Sequence, residues 1–263
     1  MKIYGYSERG AMNALFYGMA HDKEKGEKSM SRFINELANI PGNFSEFELY
    51  NEFSLSEFGD PDMMIIATET KEEQSKKVVF FIEAKRSGFK LSLENTHHTG
   101  YMKKGEFHNG HSSNLFFQLR LKRYFISRYI SKIIIEKGDL EKLFHDDEDF
   151  RLRKTKDRSR KLRERKIGEN VVVEKIVNRI KECKQDYYIA IIPEQDSRQT
   201  EKTVNTDIYG FPTHTIIWED IIRFDPHKEG EDTPKFSKYV EETFGFNQNK
   251  GESQILNQPM DLF

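Results

Sequence analysis

The chain has 263 residues, of which 36% are hydrophobic and 33% charged, with a formal net charge of -2 and a single cysteine, Cys183. That length can bury a sizeable core, and the 21 Phe and 11 Tyr offset a lean aliphatic content, since each buried ring removes a large area from water. One cysteine excludes a disulfide framework and a cysteine-based zinc site and points to a reducing compartment, while the near-zero net charge leaves any nucleic-acid signature to local patches.

The N-terminus, MKIYGYSERG, lacks the apolar stretch of a signal peptide. Residues 7–20 read as a helix capped by Ser7, with Met12, Leu15, Phe16 and Met19 on one face. A second helix is expected over 28–39, started by Ser29 or Ser31, striped by Phe33, Ile34 and Leu37 and closed by Pro41-Gly42. Residues 44–55 alternate as a strand with a polar side. Gly59-Asp60-Pro61 marks a turn, 62–68 a short buried strand, 69–77 a polar hairpin loop and 78–85 a second buried strand.

Residues 86–112 lack periodicity and read as a long loop. The strongest helix is 112–135, with Leu115, Leu119, Phe125, Tyr129 and Ile133 on one face. A helix at 170–182 aligns Val173, Ile176, Val177 and Ile180. Strands follow at 185–193 and at 214–222, the latter entering a turn, and a short helix at 236–244. The longest apolar runs, VVFFI (78–82) and YYIAII (187–192), are too short to span a bilayer, so a soluble cytoplasmic protein with no membrane association is expected. The economical organisation is one domain over 1–246, with the loop at 86–112, an acidic-basic insertion at 145–168 and a tail at 247–263.

Chemistry concentrates in GDPDMMIIA (59–67) and FFIEAKRSG (80–88). Cleaving a phosphodiester needs a nucleophilic water, neutralisation of charge building on the phosphate and protonation of the leaving oxygen. A hard divalent ion held by carboxylates supplies much of this. Asp62 and Glu83 are suitable ligands if their strands are neighbours, which a direct hairpin between them would ensure. Glu83 and Lys85 are two apart on a strand and so share a face. The same residues would also suit an ordinary surface alternation, with Asp62 in a turn after the proline.

Pro61-Asp62 followed by Glu83-Ala84-Lys85 resembles the signature of the PD-(D/E)xK nuclease superfamily. The resemblance covers roughly 7–135 and implies an α/β fold with a restriction-endonuclease-like core, a central mixed β-sheet flanked by helices. It implies a Mg²⁺-dependent nuclease, with Mn²⁺ able to substitute: Asp62 and Glu83 bind metal, Lys85 positions or activates water, and Glu8 on the first helix adds a metal-binding carboxylate. Gln118, on the helix after the lysine strand, matches the glutamine some branches carry, with Tyr124 as a looser match to a QxxxY variant. An acid in a first helical turn is also favoured by the helix dipole, which is the plainer account of Glu8.

Residues 151–166 hold ten Lys or Arg against two acids, a local charge of +8. Arg151, Arg153, Lys154, Lys156, Arg158, Arg160, Lys161 and Arg163 are the expected nucleic-acid contacts, the alternative being a solvated arm. DNA is preferred to RNA because most relatives of the motif cut DNA, and many of them are homodimers. His97, His98, His108 and His111 do not match a zinc pattern, and Trp218 reads as a core anchor rather than a stacking platform. The end Gln258–Phe263 is similar to sliding-clamp-binding peptides with one extra residue. A tail packed on its own domain is the commoner case. The rival functions are a nucleic-acid-binding protein that keeps the fold without catalysis and a metal-dependent phosphotransfer enzyme acting on nucleotides.

Overall fold

The computed structural model describes residues 8–20, 23–51, 53–55, 58–85, 100–103, 106–109, 115–131, 170–192 and 213–224. At its centre is an antiparallel hairpin of β2 (Met63–Lys71) and β3 (Gln74–Ala84), paired from Met63↔Ile82 to Lys71↔Gln74. Side chains alternate between faces along a strand. Met63, Ile65, Ala67, Val78, Phe80, Ile82 and Ala84 therefore enter one apolar layer, and Met64, Ile66, Val79 and Phe81 enter another. Both layers are buried, which is why these segments read as continuous rather than alternating apolar runs.

The sheet grows on both sides of that hairpin in the order β1-β2-β3-β6-β7. β1 (Asn43–Asn51) is antiparallel to β2, while β6 (Gln185–Ile192) and β7 (His214–Ile217) run parallel to β3 and β6 respectively, so the sheet is mixed. The β3–β6 register sets Phe80 against Tyr187 and Phe81 against Tyr188, and both ring pairs stack, with centroids 5.0 and 5.8 Å apart.

Helices cover both faces. α1 (Glu8–Ala20) and α2 (Lys23–Arg32), the latter continued by a π-helical turn at Phe33–Leu37, bury Met12, Leu15, Phe16, Met19, Phe33 and Ile34 in the first layer. α3 (Leu115–Tyr124), continued by a π-helical turn at Phe125–Ile130, and α4 (Val171–Lys181) fill the second with Leu115, Leu119, Phe125, Val173, Ile176, Val177 and Ile180. Asn170 caps α4, its Oδ1 accepting from the Val172 and Val173 amides at 3.0 and 3.2 Å. A short α5 (Trp218–Arg223) follows β7 and returns Trp218 to the first layer. The result is an α/β architecture, and among the described residues no helix is long and apolar enough to cross a membrane.

Several expected boundaries move. The second helix begins at Lys23, so Ser29 lies inside it and donates to the Lys25 carbonyl at 2.8 Å instead of capping a start. Polar residues that repay a helical hydrogen bond obscured the first turn. β1 stops at Asn51, after which Phe53 and Leu55 are buried in the second layer. The turn after β7 is helical. Within the stretch expected to be one long loop, 86–112, β4 (Gly100–Lys103) and β5 (Glu106–Asn109) pair as a two-stranded ribbon, with His108 opposite Tyr101. Ser7, the expected helix at 236–244 and the tail 247–263 lie outside the described residues.

The largest correction is the hairpin itself. In place of a loop over 69–77, the strands run on through polar residues to a two-residue turn at Glu72-Glu73, both with left-handed φ, 48° and 67°. Cross-strand polar contacts carry the extension: Lys76 pairs with Glu69 at 3.1 Å, and the Thr70 and Ser75 hydroxyls meet at 3.1 Å. A turn of this hand favours Asn-Gly, because side chains with a Cβ are crowded there. Glu72→Asn combined with Glu73→Gly should therefore stabilise the protein by about 1 kcal/mol. The check is a rise in urea midpoint at unchanged slope; a fall would mean the glutamates are favoured by contacts of their own.

Candidate functional site

The residues singled out by the motif meet where β2 begins and β3 ends. Asp62 precedes β2, and its Oδ2 accepts from the Ala84 backbone amide at 2.9 Å, which ties the start of one strand to the end of the next. Glu83 has the strand parity of Val79 and Phe81, so it projects into the second layer, towards α3. Lys85 lies one residue beyond β3. Its amide donates to the Ile191 carbonyl at 2.8 Å, and its own carbonyl accepts from Trp218 Nε1 at 2.9 Å. Trp218 is fully buried on the far face, so the core anchor expected there also clamps the backbone that carries the lysine.

Asp62, Glu83 and Lys85 are all buried, and Glu83 is fully enclosed. The charge that faces it comes from Lys122 on α3, whose Nζ lies 2.7 Å from Glu83 Oε1, with neither side chain exposed to solvent. Removing charges from water costs several kcal/mol each, and a close partner recovers part of it. Burial pushes the Glu83 carboxyl up to about 7. Lys122 pulls it back down, the Asp62 charge raises it and Lys85 lowers it.

Gly59 closes this arrangement from the loop side. Its φ is +80°, and a Cβ there would come within 3.3 Å of Lys122 Nζ and 3.5 Å of Leu121 Cδ1. Glycine thus lets the GDPD segment lie directly on the lysine and adopt a left-handed backbone.

Gln118 is one helical turn before Lys122 and is half-buried. The fourth residue after Gln118 is Lys122; Tyr124, the looser match to a QxxxY pattern, is partly buried against the second layer. Lys122 was missed in the sequence, although a signal exists. Leu115, Gln118, Leu119, Lys122, Phe125, Ile126 and Tyr129 follow helical spacing, so both polar residues fall on the apolar stripe of α3.

Glu8 is the first residue of α1, a helix on the sheet face opposite Glu83, and its side chain lies outside what the structure describes. The basic residues Arg151, Arg153, Lys154, Lys156, Arg158, Arg160, Lys161 and Arg163, together with His97, His98 and His111, also lie outside the described residues.

Among the described residues no group of three or more His, Cys, Asp or Glu side chains converges to hold a metal ion; Asp62 and Glu83 are two buried carboxylates close enough for the charge of one to act on the other. The donor chemistry fits a hard cation that keeps several of its waters. Glu83 Oε2 and Gln118 Oε1 are buried oxygens with no hydrogen-bond partner among the described residues, a condition that a cation or its bound water relieves.

No protein-family model matches the chain, and neither a curated protein nor a solved structure matches it.

The Glu83 environment predicts a pH dependence. With the carboxyl raised to about 7 in the folded protein against its ordinary value of 4.5, the folded state binds more protons between those values. Stability therefore falls as pH rises through that window and levels off above it. Relative to Glu83→Gln in EDTA, the wild-type protein should lose on the order of 3 kcal/mol between pH 4.5 and 7. Parallel denaturation curves for the two proteins across that range would remove Glu83 as the titrating group.

Proposed function

We propose that the chain is a metal-dependent nuclease of the PD-(D/E)xK kind, built on a restriction-endonuclease-like core, that hydrolyses phosphodiester bonds in DNA. The observation that carries this reading is the convergence of Asp62, Glu83 and Lys85 at one end of the β2–β3 pair, tied together by the Asp62–Ala84 hydrogen bond and buried against α3. A protein interior bears the cost of two acids and two lysines in one apolar layer only where something offsets it, and a substrate phosphate with its cation is a natural counterpart.

Mg²⁺ would be held by Asp62 and Glu83 and would supply Lewis acidity and a more acidic water, and Mn²⁺ could take its place. The chain's own groups do the rest. Lys85, its backbone fixed on both sides, holds the attacking water and stabilises charge on the phosphate. The Gln118 side chain orients that water or a phosphate oxygen, and the basic run at 151–163 follows the nucleic-acid backbone. A cytoplasmic setting is consistent with the single cysteine.

A second reading is favoured by one observation: Glu83 is already neutralised by Lys122. A protein that binds nucleic acid through this fold without cutting it would have no need of Glu83 as a ligand.

Incubation with plasmid, linear and single-stranded DNA and with RNA, in Mg²⁺ or EDTA, separates the two. Cleavage should require the metal and prefer DNA, and Lys85→Ala should slow it by about 10²–10⁴-fold with binding in EDTA retained. Metal-independent binding with no product from any substrate would favour the non-catalytic protein, and full activity in Lys85→Ala would sink the site assignment.

The arm has its own measurement. Neutralising Arg158, Arg160, Lys161 and Arg163 together should weaken DNA binding and shallow its log–log salt slope by up to about 4, near 0.9 per lost phosphate contact. An unchanged slope would take the arm out of the interface.

A further inference from the structure

Two lysines are buried among the described residues, and only Lys85 belongs to the motif. Lys122 Nζ is 2.7 Å from Glu83 Oε1 with no solvent around either group, and Gly59 is folded down onto it. The site is therefore built around a fixed ammonium. We propose that Lys122 is a positioning residue that stands in for a second divalent ion, holding Glu83 by one oxygen so that the Asp62–Glu83 pair takes up a single divalent cation. This rests on the metal-dependent nuclease reading given above.

Charge balance supports the assignment. Phosphodiester-cleaving sites that use two metal ions set them a few ångströms apart, and each ion needs negative charge around it. Here the charges of Asp62 and Glu83 are already cancelled by those of Lys85 and Lys122 within one buried cluster. One divalent ion that keeps several of its waters adds two positive charges to that cluster. A second would double them in a layer lined by Phe81, Leu119 and Phe125, where unbalanced charge is expensive.

Geometry agrees with this role. The ammonium faces Oε1 of Glu83 as an ion pair rather than an aligned hydrogen bond, and Oε2 has no hydrogen-bond partner among the described residues. The lysine is attached to α3, so its charge does not dissociate as a weakly held second ion would.

The test counts Mn²⁺ by titration calorimetry on the full chain without nucleic acid, taking as site-bound only ions whose binding is lost in Asp62→Asn. The wild-type protein should take up one ion. Lys122→Met, similar in volume but uncharged, should take up a second, or bind one roughly tenfold more tightly as the repelling charge is removed. Lys122→Arg, which keeps the charge, should restore the wild-type count.

Two site-bound ions in the wild-type protein would overturn the proposal while leaving the nuclease reading intact. So would a Lys122→Met variant with unchanged count and affinity. No site-bound Mn²⁺ in the wild-type protein would overturn both. The wild-type count needs no variant, so it decides the matter even if Lys122→Met does not fold.

Discussion

A carboxylate and an ammonium, both fully enclosed, meet at 2.7 Å between the end of β3 and the last turn of α3, and the arrangement around the site depends on that contact. Either group alone would be a buried, uncompensated charge, costing about 3–5 kcal/mol, so α3 is held in the one rotation and one register that bring Lys122 over Glu83. The loop in front of Asp62 passes against the same lysine, and glycine at 59 suits both that approach and its left-handed backbone. Packing of Leu115, Leu119 and Phe125 supplies most of the area that docks the helix, but apolar packing tolerates small slides that a buried ion pair does not.

The two apolar layers divide the labour. The layer with α3 and α4 surrounds the charged groups. The layer with α1, α2 and α5 forms the back wall, and the buried acid with that strand parity, Glu69, sits towards its edge, where it pairs with half-exposed Lys76. Trp218 connects them by reaching from the back wall to the Lys85 carbonyl, so the strand end that carries the lysine is fixed from behind while its side chain is enclosed with the site. At the edge strand, Glu48 accepts the Arg179 guanidinium and the Tyr50 hydroxyl, which fastens β1 to α4 far from the site. The carboxylate-lysine cluster is thus set on the most buried strands of the sheet, where positional freedom is lowest.

Much of this was legible along the chain because burial imposes periodicity. Met12, Leu15, Phe16 and Met19 on α1, Val173, Ile176, Val177 and Ile180 on α4, and the apolar runs of β2, β3 and β6 all announce their elements by spacing. The motif residues Asp62, Glu83 and Lys85 were legible too, since strand parity and a short connection bring them together. What misled was polarity read as irregularity. Glu69 to Lys77 looks like a loop, yet it is two paired strand ends around Glu72-Glu73, because exposed strand ends need no apolar residues and cross-strand pairs such as Glu69–Lys76 hold them. Lys23 to Lys28 is helical for a similar reason: a helix satisfies its own backbone whatever its side chains.

The sequence by itself determined the order of the main helices and strands, the burial of the central strands and the candidate carboxylate-lysine set. Each of these follows from residue types repeating at the period of a local structure. Tertiary structure alone decided what those charges face. Lys122 is 39 positions from Glu83 and Trp218 is 133 positions from Lys85, and no local period links residues so far apart. Their meeting is a property of how α3 and α5 dock on the sheet, which depends on the summed packing of both layers and, for Lys122, on the need of one buried charge for another.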